Sequence, residues 1–421
     1  MFNPHTAPYL PATPVPDEAL AITAIETTIP DDIMPGSLLI RIHTESGIVG
    51  HGETYYAPHA VASMLHDWMA RRLLGHDALA IESHWRFFYE RCANFGVRGT
   101  ELRAISAIDL ALWDILGQFA KLPIYRLLGG AVRSKIAVYN SCGNPSYGRN
   151  PYGEQGWPGY GSIGSPGKLQ DSYNLFHDPC GLVAELLEEG YTAFKTWLFD
   201  SVAHERGGMR IGLAELEQTL RPLHAIRERF GNQIEFMVDG HGFFMLPAAL
   251  RIAEGLRALQ PLWLEDILKT DNLDTLTDFR RQSQMPLSVS EMLLSRADFA
   301  QVLSRQATDY VMIDPTWVGG ISETVRIAHL AQTYNVPVTM HDCTGPLTLF
   351  AGLHVNAAVP GCCFQETVRA HIRTFYKDLI DTPVVIENGH TPLPRGAGLG
   401  TRLNPDLFQP DRPNYRITRS S

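Results

Sequence analysis

The chain has 421 residues, of which 45% are hydrophobic and 19% charged, so an intrinsically disordered protein is excluded and a large buried core is expected. The formal net charge of −10 arises without any lysine-rich or arginine-rich run, which argues against a nucleic-acid partner. No apolar run reaches the roughly 18 residues of a membrane helix, the N-terminus lacks a signal pattern, and six cysteines show no CxxC pair, so we expect a cytoplasmic protein that binds no membrane.

The first part of the chain is predicted to be an α+β unit. Residues 20–54 contain strand-like runs, and Glu45, Ser46 and Gly47 supply a hairpin turn between two of them. From residue 59 the periodicity becomes helical, most clearly in ELRAISAIDLALWDILGQFAKLP, where Pro123 ends the helix. We place this unit at residues 1–133.

Residues 134–366 alternate short apolar runs with amphipathic stretches, which is typical of βαβ units around a parallel sheet. Eight runs qualify as strands, and the later ones end in polar residues spaced 23 to 27 positions apart, about one βα unit each. In a TIM barrel this spacing brings strand-end side chains together at one mouth, where barrel enzymes carry out their chemistry. The polar strand-end residues are Asp239, Glu265, Glu291, Asp314, His341 and Glu366.

A long insertion at residues 144–178 interrupts the alternation after the first barrel strand. It is rich in glycine, proline and aromatic residues and far exceeds an ordinary βα loop. A disordered insertion is the alternative, but its aromatic content favours an ordered lid over the barrel mouth. Candidates to contact a substrate from this lid are Tyr147, Arg149, Tyr152 and Trp157, although packing is the more common role for such residues.

Three of the strand-end residues are acids in successive register: Asp239, Glu265 and Glu291. A single acid at a strand end is usually a helix cap or a solvated charge. Three acids on separate strands, each behind an apolar run, instead suit a hard cation such as Mg²⁺, which takes oxygen ligands in octahedral geometry. We therefore predict that they bind Mg²⁺.

The next two strands end in Asp314 and His341. A carboxylate one strand away can hold one ring nitrogen of the histidine, fix its tautomer and raise its basicity. A structural histidine at the barrel rim is the alternative. Because His341 follows the three acids in strand order, we predict that it is a general base supported by Asp314.

Residues 104–130 (AISAIDLALWDILGQFAKLPIYRLLGG) closely resemble the end of the capping domain in the mandelate racemase and muconate lactonizing branch of the enolase superfamily. The strand-end order Asp, Glu, Glu, Asp, His, Glu resembles the mandelate racemase subgroup in particular. The resemblance implies a modified TIM barrel, (β/α)7β, whose α+β capping domain is completed by residues 367–421. It also implies a homo-oligomer. Pairing a Lys or His base with Mg²⁺ is an established property of these sites, not a deduction from this sequence.

The same resemblance assigns roles to individual residues. It implies that Asp239, Glu265 and Glu291 are the Mg²⁺ ligands and that His341 with Asp314 is the base. It further implies that Glu366 stabilises the developing enolate oxygen through a hydrogen bond.

One departure from the family pattern and one further resemblance narrow the expected reaction. Many relatives carry Lys-x-Lys at the end of the second strand; here Lys195 matches the first lysine and Trp197 replaces the second, so a two-base racemase would lack one base. Lys195 is expected to neutralise a substrate carboxylate, with a rim salt bridge as the alternative. His241 resembles the acid of several sugar-acid dehydratases, although a structural role is also open.

These features favour dehydration of a sugar acid (aldonate) to a 2-keto-3-deoxy acid, with His341 as base and His241 as acid. A racemase or epimerase of a 2-hydroxy acid on the same scaffold is one alternative, and a catalytically silent binding protein is another. A Tyr and Arg pair of the lid could also replace His341 as base, as in mannonate dehydratases. Substrate identity would depend on this lid and on the loop at residues 30–35.

Overall fold

The computed structural model describes residues 20–149 and 164–420 of the chain. An antiparallel sheet opens the described part, and apolar side chains on one of its faces pack against helices. The strands are β1 (Ile22–Thr28), β2 (Ser37–Thr44) and β3 (Val49–Tyr55). The helices are α1 (Pro58–Ser63), α2 (Ala70–Leu73), α3 (Ile81–Cys92), α4 (Thr100–Ala120) and α5 (Ile124–Leu127), with a π-helical turn at Met64–Met69.

Strand β3 lies directly on helix α4. A Cβ atom on Gly50 or Gly52 would fall 2.1 Å from a carbonyl oxygen of the helix, so only glycine permits this approach. The predicted hairpin turn is confirmed: β2 pairs antiparallel with β3, and Gly47 in the turn has a φ of 82°.

Eight parallel strands form the barrel, and all eight predicted strand segments are confirmed. Pairing of the last strand with the first closes the ring. The strands are β4 (Lys135–Ser141), β5 (Ala193–Thr196), β6 (Glu235–Asp239), β7 (Leu264–Glu265), β8 (Leu287–Val289), β9 (Tyr310–Ile313), β10 (Val338–Met340) and β11 (Cys362–Thr367). Between them lie α6 (Asp171–His177), α7 (Pro179–Glu188), α8 (Asp200–Arg206), α9 (Leu213–Phe230), α10 (Leu246–Leu256), α11 (Leu273–Ser283), α12 (Arg296–Ser304), α13 (Gly320–Thr333) and α14 (Pro346–Ala358).

The chain after the barrel returns to the N-terminal sheet. It contains α15 (Arg369–Thr374), α16 (Tyr376–Leu379), β12 (His390–Pro392) and β13 (Arg416–Arg419). Strand β12 pairs antiparallel with β4, and β13 pairs antiparallel with β1. The predicted fold class, a modified TIM barrel with a capping domain completed by the C-terminal segment, is therefore confirmed, whereas the boundaries 1–133, 134–366 and 367–421 stay predictions.

Two packing layers hold the barrel together. Inside it, a small cluster is built around the fully buried Tyr139, Met237 and Trp263. Outside it, strand and helix side chains form the large core between sheet and helices. None of the helices in the two described ranges combines the length and apolarity that crossing a bilayer requires.

Candidate active site

A cavity of about 920 Å³ lies at the carboxyl ends of the barrel strands, under the capping domain. Six of the predicted residues line it: Lys195, Asp239, His241, Glu291, His341 and Glu366. Glu265 and Asp314 are fully buried behind them and reach the cavity only through their neighbours. The structure thus brings all eight predicted residues to one place, while their functional roles stay predictions.

The Lys195 ammonium lies among three carboxylates. It is 3.2 Å from Asp239 Oδ2 and 3.0 Å from Glu366 Oε1, and it also contacts Glu265. Burial alone would lower the pKa of Lys195, but the attraction of Glu265 and Glu366 outweighs it and raises that pKa well above the usual value. Lys195 is therefore a fixed positive charge at the floor of the cavity.

The predicted ligands offer the oxygen donors that a hard cation prefers. Glu291 Oε2 is buried without a hydrogen-bond partner, and burial, followed by the repulsion of Asp239, raises the pKa of Glu265 well above its usual value despite Lys195. Within the described ranges, however, no three acidic, His or Cys side chains converge on one point at metal-ligating distance. The three buried carboxylates around Lys195 nevertheless carry more negative charge than its single ammonium can neutralise, so an additional cation fits this donor set.

His341 pairs with Asp314 as predicted, with 2.8 Å between His341 Nδ1 and Asp314 Oδ2. Asp314 also accepts hydrogen bonds from the Thr316 hydroxyl at 2.7 Å and the Thr344 hydroxyl at 3.1 Å, so its carboxylate is fixed in place. Burial favours neutral His341, but the nearby Cys343 and Glu366 outweigh it and raise the pKa of His341 well above its usual value. The geometry directs His341 Nε2 away from Asp314.

His241 has a carboxylate partner that the sequence did not reveal. Its Nδ1 lies 2.8 Å from Oδ2 of Asp200, a buried residue at the start of α8. Burial raises the pKa of Asp200 to about 6; for His241, burial is outweighed by Asp200 and Asp239, which raise its pKa to about 10. The cavity therefore has two His–Asp pairs, and a protonated His241 suits proton donation.

Trp197, two positions after Lys195, packs between two other rings of the cavity. Its ring stacks on Tyr147 at a centroid distance of 5.0 Å and meets His241 edge-on at 5.8 Å. Tyr147 is buried and also stacks on His371 at 5.9 Å. These aromatic contacts restrict the orientation of the His241 imidazole.

The described start of the insertion is attached to the capping domain. Arg149 donates hydrogen bonds from Nε to Ile33 O at 2.6 Å and from Nη2 to Asp32 O at 3.0 Å, and the Tyr55 hydroxyl donates to Gly148 O. The lid candidates Tyr152 and Trp157 lie outside the described residues, so the ordered lid stays a prediction.

Sequence reasoning missed the wall that faces the base. The ring of Trp317 lies 5.2 Å from that of His341 and 5.6 Å from that of Tyr56, and the two aromatic rings form this wall. The Arg103 guanidinium lies over the Trp317 ring at 4.5 Å. The indole Nε1 of Trp317 is buried without a hydrogen-bond partner. A weak signal was present, because Trp317 follows the strand-end residue Asp314 by three positions.

Two family models match the chain. Residues 22–129 match the N-terminal domain of mandelate racemase and muconate lactonizing enzyme, and residues 181–407 match the enolase C-terminal domain-like family. Arabinonate dehydratase of Saccharolobus solfataricus is 29% identical over 375 residues, 88% of each chain. D-Xylonate dehydratase of Haloferax volcanii is 29% identical over 394 residues, 92% of this chain and 88% of that protein.

A similar architecture occurs in the crystal structure of an enolase protein from environmental sequencing of the Sargasso Sea. It superposes with a TM-score of 0.83 at 34% identity, covering 95% of this chain and 99% of that one. The two family models match the chain on both sides of the insertion, and the structural match covers 95% of the chain. The chain therefore belongs to the enolase superfamily, in its mandelate racemase and muconate lactonizing branch.

Proposed function

We propose that the protein is a hydro-lyase that dehydrates a sugar acid (aldonate) to a 2-keto-3-deoxy acid with the help of Mg²⁺. The single observation that carries this proposal is the presence of two imidazoles, His341 and His241, at one cavity, each with its own aspartate partner. Dehydration needs a base at C2 and an acid at the 3-hydroxyl. Two relatives named as arabinonate and D-xylonate dehydratases support the substrate class.

His341 is positioned to remove the C2 proton with Nε2, because Asp314 holds Nδ1. His241, held by Asp200, donates a proton to the departing 3-hydroxyl, which leaves as water. Glu366 and Lys195 lie 3.0 Å apart on the floor, where the ammonium offsets negative charge on the substrate carboxylate. The 2-enol product then tautomerises to the keto acid.

Asp239, Glu265 and Glu291 would hold the metal, consistent with their oxygen donors and the unpartnered Glu291 Oε2. When bound, Mg²⁺ supplies positive charge that stabilises the dianionic enediolate formed when the C2 proton is removed. The aromatic wall of Tyr56 and Trp317 would pack against the carbon chain of the sugar acid.

A panel of aldonates, incubated with the Mg²⁺-loaded protein and assayed for 2-keto acid with semicarbazide, tests the proposal. We expect product from at least one aldonate and none with His341→Asn. Deuterium incorporation at C2 without loss of water would instead indicate epimerisation, the chemistry that Trp197 disfavours. Silence across the whole panel, in both product and exchange, would contradict the proposal and favour a binding protein.

A further inference from the structure

The end of the cap strand β3 contacts the loop that carries the aspartate of the base pair. Glu53 is 1% exposed, and its Oε1 accepts a hydrogen bond from the backbone N–H of Thr348 at 2.6 Å, in the first turn of α14. The next residue, Thr54, donates from its hydroxyl to Thr316 O at 3.0 Å. The cap thus holds the Asp314 loop through Thr54 and the start of α14 through Glu53.

A continuous row of polar atoms runs from Glu53 to the base. Glu53 Oε1 lies 2.8 Å from Thr348 Oγ1, which lies 3.2 Å from Thr316 Oγ1. Thr316 Oγ1 lies 2.7 Å from Asp314 Oδ1, and the other oxygen of Asp314 lies 2.8 Å from His341 Nδ1. All five side chains are buried, so water does not compete for these contacts.

The donors show how this row is held together. The backbone N–H and the hydroxyl of Thr348 both donate to Glu53 Oε1, and the Thr316 hydroxyl donates to Asp314 Oδ1. Between them, Thr348 Oγ1 and Thr316 Oγ1 are in contact at 3.2 Å, so the position of the Thr316 hydroxyl depends on Thr348 and, through it, on Glu53. Burial raises the pKa of Glu53 to about 8, even though the donors of Thr348 lower it, so a neutral glutamine is a close mimic of this side chain.

We propose that Glu53 is a positioning residue of the active site: its buried carboxyl group holds Thr348 against Thr316, and so keeps the Thr316 hydroxyl on Asp314 and Asp314 on Nδ1 of His341. The inference rests on the proposed role of His341 as base. It extends the site from the barrel into the capping domain, because Glu53 lies on cap strand β3.

The packing around Glu53 supports a fixed carboxyl group. A Cβ atom on Gly345, the residue before α14, would lie 2.4 Å from Glu53 Oε1 and 2.7 Å from Oε2. The glycine leaves space for the carboxyl group and for nothing larger. Such close packing fixes the direction in which Oε1 points.

The test uses the disruptive variants Glu53→Leu and Thr348→Val, their combination, and the conservative variant Glu53→Gln, all in the Mg²⁺-loaded full-length protein. The leucine removes both acceptor oxygens, whereas the glutamine keeps the volume and an oxygen that accepts the Thr348 donors. The valine removes the hydroxyl that contacts Thr316 and leaves Glu53 bonded to the backbone of Thr348. We expect Glu53→Leu and Thr348→Val each to lower kcat about tenfold with KM within about twofold, the double variant to be no worse than either single one, and Glu53→Gln to stay within about twofold of wild type.

A second measurement does not depend on turnover: the His341 Nδ1 proton signal in histidine-labelled protein, observed by NMR. We expect the signal to weaken in Glu53→Leu and Thr348→Val through faster exchange with water, since Asp314 is held less firmly, and to persist in Glu53→Gln. Asp109→Asn is the matched control, because Asp109 is another buried carboxyl that joins cap to barrel, accepting from Ser322 N at 3.0 Å. It should alter the melting temperature and leave the signal unchanged.

An unchanged Nδ1 proton signal in Glu53→Leu and Thr348→Val would overturn the inference, as would equal losses in Asp109→Asn. If the wild-type protein turned over no sugar acid, the proposed function would fail, and the NMR comparison alone would decide the role of Glu53. A variant that does not fold is replaced by the other, because each interrupts the same chain at a different residue.

Discussion

The two imidazoles of the cavity differ in what surrounds their aspartate partners. Asp314 accepts hydrogen bonds from the Thr316 and Thr344 hydroxyls in addition to its contact with His341, so its carboxyl group is held in one orientation. Asp200 has one oxygen, Oδ1, that is buried without a partner, and burial raises its pKa to about 6. His341 is thus held by a rigid acceptor, while the charge on His241 depends on Asp200, at 2.8 Å, and on the more distant Asp239, at 3.7 Å.

The dependence of His241 on Asp200 gives a prediction at this scale. In Asp200→Asn, His241 loses the closest charge that raises its pKa, so less of it is protonated at neutral pH. We expect kcat for dehydration to fall about 10- to 100-fold while deuterium exchange at C2, which needs only His341, persists. Keto-acid formation and C2 exchange are measured on the same aldonate.

His341→Asn serves as the comparison, since it should abolish both readouts together. Equal losses of exchange and dehydration in Asp200→Asn would show that Asp200 acts on the whole site and not on His241.

The residues that sequence reasoning found and those it missed differ in how they reach the site. Asp239, Glu265 and His341 follow from strand periodicity, because every βα unit returns the chain to the same end of the barrel. Asp200 lies on a helix 41 positions before its histidine, and Glu53 lies in another domain. No local pattern encodes those contacts, since they depend on how separate elements pack.

At the scale of elements, one buried arginine joins the insertion to the barrel. Arg369, at the start of α15, contacts Asp171 of α6 through Nη2 at 2.6 Å and Glu185 of α7 at 3.0 Å. Its backbone N–H donates to Asn140 Oδ1 of β4 at 2.9 Å, and Asn140 in turn donates to Asp171. These contacts fix the end of the insertion against the first and last barrel strands.

Removing the Arg369 side chain should lower the stability of the fold, because Asp171 stays buried without it. Arg369→Met leaves Asp171, which is fully buried, without its countercharge, and we expect the free energy of unfolding to fall by about 3–5 kcal/mol. Urea denaturation followed by circular dichroism measures this. The matched variant Glu185→Gln changes a partner that is 39% exposed, so it should cost less than about 1 kcal/mol. Similar losses in both variants would contradict the argument.

At the scale of the whole molecule, a few buried side chains connect segments far apart in sequence. His354 of α14 accepts from the Tyr125 N–H of α5 at 3.2 Å through Nδ1 and donates from Nε2 to Leu399 O at 2.9 Å. The neutral imidazole of His354, on barrel helix α14, thus connects cap helix α5 to the C-terminal segment. The fold class could be predicted because strand spacing and one family-like segment define it, whereas such junctions could not, since a buried histidine has no sequence pattern of its own.

These junctions predict how stability depends on pH. Burial lowers the pKa of His354 to about 4, whereas an unfolded histidine titrates near 6.5. Above pH 6.5 both states are neutral and His354 contributes no pH dependence. As pH falls from 6.5 toward 4, only the unfolded state gains the proton, so the free energy of unfolding decreases by up to about 1.4 kcal/mol per pH unit. Burial also lowers the pKa of His51, His66, His84 and His371 to between about 3 and 4, and these residues add to the same slope.

Buried carboxyls with a raised pKa, such as Asp109 and Asp114 at about 7, have the opposite effect, because the folded state takes up their protons first. The contribution of His354 is therefore isolated by comparing variants in urea denaturation at a series of pH values. His354→Gln should be less stable than wild type at pH 8, because the imidazole contacts are lost, yet its slope below pH 6.5 should be shallower by about 1 kcal/mol per pH unit. The exposed His329→Gln should keep the wild-type slope. An unchanged slope in His354→Gln would mean that this imidazole already takes up its proton in the folded state.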